Sequence, residues 1–84
     1  CIRTLTGHSF IVFCLVKIEQ FKIASSSGDT TIKLWCLVEN KCLSTLKGHS
    51  DSVFCVIKLN QFQLSSCSYD KSIKIWSLKE YKCL

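Results

Sequence analysis

His8, Ser25 and Asp29 are the residue types of a hydroxyl nucleophile, its base and the acid that orients the base, and the same three types return as His49, Ser66 and Asp70. In a Ser-His-Asp system the imidazole takes the serine proton while the carboxylate fixes its tautomer. Such a system also needs a strained turn presenting the serine ahead of a helix, and backbone donors for the oxyanion. The sequence signals neither, and a catalytic set has no reason to occur twice at one displacement. The chain reads as non-enzymatic.

Seven cysteines among 84 residues raise two other chemistries, a metal centre and a disulfide framework. The number is odd, there is no Cys-x-x-Cys, and Cys1, Cys14, Cys42, Cys55 and Cys83 recur at a fixed period without clustering. These spacings fit small buried hydrophobes, so no metal and no cofactor are expected. Reduced thiols in such number point to an intracellular compartment, cytoplasmic or nuclear. The net charge of +5 invites a nucleic-acid reading. Yet Lys17, Lys33, Lys58 and Lys74 stand singly at the same period, with no basic run or aromatic-basic interleave. Nucleic acid is therefore disfavoured as a partner; an affinity that falls with salt would mark it. Nothing approaches the ~18 continuous apolar residues of a membrane helix, and no signal-peptide pattern is seen.

The period itself carries the most information. "SSSGDTTIKLW" at 25–35 is answered by "SCSYDKSIKIW" at 66–76, a displacement of 41 that holds without a gap from Cys1 to Leu84. That length fits one propeller blade of roughly 40–45 residues and exceeds the ~34 of common helical-pair repeats. Within each unit, "IVFCLVKI" and "SVFCVIKL" are rich in β-branched and aromatic residues, "FKIASS" and "FQLSSC" follow, and "TIKLWC" and "SIKIWS" come after a polar turn cluster. The pattern predicts four strands per unit, at 2–5, 11–18, 21–26 and 31–36 and again 41 residues later.

These residues carry a resemblance. "TGHS" at 6–9 with Asp29 and Trp35, and "KGHS" at 47–50 with Asp70 and Trp76, resemble the WD-repeat family of β-propellers over the whole chain. The Asp that usually follows the Trp is replaced by Cys36 and Ser77. The resemblance implies an all-β fold of two four-stranded antiparallel blades, part of a larger closed ring. Its units would be 1–40, holding the outer strand of a preceding blade and three strands of the first, then 41–81 in the same phase, with 82–84 opening the next outer strand. It also implies two internal hydrogen-bond sets: His8, Ser25, Asp29 and Trp35, and His49, Ser66, Asp70 and Trp76. Ser25 is chosen over Ser27 because a hairpin turning near Asp29 sets residues 23–25 opposite Trp35.

Two blades leave two uncovered flanks, and a ring needs about four to eight blades. With no Met in the chain, the expectation is a segment of a longer propeller, the remaining blades coming from the same polypeptide. The alternative is several two-blade copies closing a ring together. One face collects the loops with Ser9, Phe10, Gly28 and Thr30 and their counterparts Ser50, Asp51, Tyr69 and Lys71. Frame positions repeat while Phe10/Asp51, Gly28/Tyr69 and Thr30/Lys71 have diverged, as a recognition surface on a repeated scaffold would. These loops are the candidate partner-binding surface. The function expected from the resemblance is a protein-protein interaction scaffold or substrate-recruiting subunit of a multiprotein complex.

Overall fold

A computed structural model describes residues 7–84. The strand expected at 2–5 lies outside them. Eight strands follow: β1 Val12–Glu19, β2 Lys22–Ser27, β3 Ile32–Cys36, β4 Lys41–Leu46, β5 Val53–Asn60, β6 Gln63–Ser68, β7 Ile73–Ser77 and β8 Lys82–Cys83. They form two antiparallel four-stranded meanders, β1-β2-β3-β4 and β5-β6-β7-β8. The expected strand positions hold to within one or two residues, the short hairpin connections leaving each strand only its sequence neighbour to pair with.

The loops between the second and third strands of each blade are built alike. The Thr30 N–H donates to the Ser27 carbonyl at 3.3 Å, and the Lys71 N–H donates to Ser68 at 3.2 Å. Thr30 and Lys71 then take φ of 75° and 68°. A turn closed by one left-handed residue matches the right-handed twist of the flanking strands. Register shifts between Val12 and Cys14, and again between Val53 and Cys55, add a residue to each inner strand and increase its twist.

The core lies between the two sheets. Ile18, Ala24, Ile32, Leu34 and Leu46 of the first pack on Val53, Val56, Leu64 and Trp76 of the second, with Cys14, Val16, Leu43 and Leu78 at its edge. Polar contacts cross the same seam: Lys58 Nζ donates to the Ile18 carbonyl, and Ser52 Oγ to the Gly28 carbonyl at 3.3 Å. Alternate residues of β1 therefore have different fates. Val16 and Ile18 turn toward the second sheet, whereas Val12 and Leu15 line a groove on the opposite flank.

Candidate functional site

Each sheet holds a chain of four side chains. His8 arrives on the segment before β1, Ser25 on β2, Asp29 in the following turn and Trp35 on β3. The Trp35 indole N–H donates to Ser25 Oγ at 2.8 Å, Ser25 Oγ lies 2.6 Å from His8 Nε2, and His8 Nδ1 lies 3.0 Å from Asp29 Oδ2. In the second sheet Trp76, Ser66, His49 and Asp70 stand in the same order at 2.7, 2.7 and 2.9 Å. One proton arrangement satisfies every member with a neutral ring. The indole donates to the hydroxyl, the hydroxyl to Nε2, and Nδ1–H to the carboxylate. Thus one serine lone pair is occupied by the indole and the hydroxyl hydrogen by the imidazole. Ser25 and Ser66 are buried, and the arrangement ties the segment before the first strand of each sheet to the second and third strands.

The carboxylates gather further donors. Asp29 Oδ2 accepts from the Ser9 N–H at 2.9 Å, and Oδ1 from the Thr31 N–H at 3.0 Å and the Thr31 hydroxyl. Burial pushes the Asp29 carboxyl up, but the hydrogen bonds from the Thr31 hydroxyl, Ser9, His8 and the Thr31 amide outweigh it and hold the group well below the usual carboxylate range. Asp70 is displaced the same way, first by the Ser72 hydroxyl, which with His49 and the Ser50 and Ser72 amides overcomes the opposing effect of burial. Thr31 and Ser72 belong to these sets although their types differ. The signal was a hydroxyl kept at matching positions, which a comparison of identities passes over. Ser27 and Ser68 contribute from the turn, each hydroxyl accepting from the following aspartate N–H at 3.1 Å.

Close approach explains two glycines. A Cβ on Gly7 would meet Trp35 Cη2 at 3.0 Å, and one on Gly48 would meet Trp76 Cη2 at 3.1 Å. The backbone before each histidine therefore rests on the indole edge, which brings the imidazole into reach of the serine.

The diverged loops sit above these sets on one face. Ser9 and Ser50 are drawn into the sets through their backbone N–H groups. Phe10 and Gly28 are in contact: a Cβ on Gly28 would run into Phe10 Cδ2. The second blade reverses the sizes, with the short Asp51 capping the Ser52 N–H at 2.7 Å and Tyr69 stacked near Phe54, ring centroids 4.9 Å apart. Thr30 and Lys71 occupy the left-handed turn positions. Phe10 remains 61% exposed and Tyr69 62%. Among the described residues no group of three or more His, Cys, Asp or Glu side chains could hold a metal ion, and no helix is long and apolar enough to cross a membrane.

Comparison with known proteins follows the same two units. The model of the family described as WD domain, G-beta repeat matches residues 1–36 and 40–77. No curated protein sequence matches. Among solved structures, the crystal structure of the WD40 β-propeller domain of Doa1 superposes with a TM-score of 0.87 at 29% identity, over 95% of this chain and 27% of that one. The chain thus spans about a quarter of the length of the structure it matches.

Proposed function

Because the chain belongs to the WD-repeat family, whose propellers generally bind other proteins, we propose that it is a non-catalytic scaffold that recruits proteins into a multiprotein assembly inside the cell. Its repeats are units 1–40 and 41–81, each an outer strand of one blade followed by three strands of the next, within a larger ring. The observation that carries this reading is the exposed divergence of one loop face over an otherwise repeated frame. Phe10 over Gly28 and Tyr69 beside Phe54 offer two large aromatic surfaces, while the hydrogen-bond sets beneath them are the same in both blades. Rigid aromatic anchors dominate many interfaces, and a frame held by buried polar chains loses little entropy when they dock.

The test is affinity capture with the wild-type chain and with Phe10→Ser and Tyr69→Ser together, with and without nuclease. Loss of partner proteins from the double variant, with unchanged indole fluorescence and no nuclease sensitivity, is the expected result. Partners retained by the double variant would remove this face from consideration. Partners lost on nuclease treatment would transfer the function to nucleic acid.

A further inference from the structure

Three free cysteines gather where the first strands of the two sheets run side by side. Cys14 on β1 faces the second sheet, and its thiol donates at 3.6 Å to the carbonyl of Val56, the residue that follows Cys55 on β5. Cys55 is itself paired in register with Cys67 on β6. All three are half-buried and unbridged. Cys36, Cys42 and Cys83 belong to strands at least two places away from β1 and β5 in their sheets.

The two blades differ here in a way that decides which thiols meet. Within its own hairpin Cys14 is paired with Ser26, whose hydroxyl is buried and has no hydrogen-bond partner among the described residues. The equivalent of Ser26 in the second blade is Cys67. The thiol that neighbours Cys14 therefore lies across the seam, on Cys55. Cys14 also keeps part of its surface open although the second sheet packs against that side of β1, so a small oxidant reaches it with both blades in place. Burial and the Cys14 and Cys67 thiols beside it push the Cys55 thiol up. Cys55 is thereby kept protonated, and the opening attack on an oxidant falls to its neighbour.

We propose that Cys14 and Cys55 form a modification site, oxidised by hydrogen peroxide to a disulfide that joins the two blades across their seam. The Cys14 thiolate attacks one peroxide oxygen, the O–O bond breaks, hydroxide leaves, and Cys14 becomes a sulfenic acid. The Cys55 sulfur, giving up its proton, then attacks the Cys14 sulfur; the S–O bond breaks and the hydroxyl leaves as water. Two thiols and one peroxide give one disulfide and two waters, the peroxide taking the two electrons that the sulfurs lose. A thiol reductant reverses the step by exchange. The bond links residues 41 positions apart and so restricts the unfolded chain. Phe10 and Asp51 lead into β1 and β5, so it also fixes the spacing of two of the diverged loops. The inference stands apart from the scaffold reading, because the two thiols meet whether or not those loops bind a partner.

The test uses the whole natural protein, reduced, freed of reductant and exposed to a small excess of hydrogen peroxide before the remaining thiols are alkylated. Peptide mass spectrometry should find the Cys14 and Cys55 peptides joined, lighter than their sum by two hydrogens, and separated again by dithiothreitol. The urea midpoint should rise on oxidation and return on reduction. Cys67→Ser should keep both results, and Cys14→Ser should lose both. A bond between Cys55 and Cys67 in the wild type, sulfinic or sulfonic acids without any bond, or thiols that stay reduced would each overturn the inference. A bond between Cys14 and Cys55 that forms as fast in the urea-unfolded chain would overturn it too, since the fold would then not be what brings them together. Peptide mapping of the wild type decides the matter even where Cys14→Ser fails to fold.

Discussion

At the scale of the residue, the same chemistry that suggests a nucleophile makes a structural joint. The serine hydroxyl accepts from an indole and donates to an imidazole, so stripping any member leaves another buried group without a partner. Trp76→Phe keeps the ring and removes the donor to Ser66; the expected loss is about 1 kcal/mol, read from urea unfolding. His49→Ala removes both the acceptor of the Ser66 hydroxyl and one donor to Asp70, and should exceed it. Acid adds a second test. Asp29 and Asp70 titrate lower in the folded chain than in the unfolded one, so as pH falls the unfolded state takes up protons first. Their stabilisation is complete above about pH 4 and is lost as pH drops below that toward the folded values. The urea midpoint should decline from pH 5 to pH 2, and less steeply in Asp29→Asn. The set of His8, Asp29 and Trp35 came from the resemblance to the WD-repeat family, and the choice of Ser25 from the hairpin that turns near Asp29. Thr31 and Ser72 were not legible, since only a hydroxyl is shared. Phe10 and Gly28 against Asp51 and Tyr69 were visible as divergence, but not as an exchange of large and small residues in contact.

At the scale of the element, four strands per unit were legible from β-branched runs broken by polar turns. The turn conformations were not. Nothing in "SGDTT" announces that Thr30 adopts φ of 75°, a region costly for a β-branched residue. The turn imposes it, because the side chain and amides of Asp29 and Thr31 are held by the hydrogen-bond set and the one residue between them must reverse the chain. Thr30→Asn, a residue that tolerates this region, should raise stability by about 0.5–1 kcal/mol. Lys71→Asn should gain less, since lysine is unbranched. Gly48→Ala should lose stability, as its methyl would sit 3.1 Å from the Trp76 ring. Equal urea midpoints for Thr30→Asn and wild type would mean that the turn holds no strain.

At the scale of the whole molecule, periodicity made two blades legible, whereas the unequal burial of their equivalent positions needed three dimensions. Sequence shows that Ile23 and Leu64 are equivalent; only the packing shows that Leu64 is fully buried while Ile23 borders an open groove. That inequality can be measured. Leu64→Ala removes a core side chain and should cost about 2–5 kcal/mol at any protein concentration. Ile23→Ala should cost far less in dilute solution, where water already reaches the groove. Equal losses for the two variants in urea unfolding would mean that Ile23 is packed as tightly as Leu64, because the cost of truncation follows how completely a side chain is enclosed.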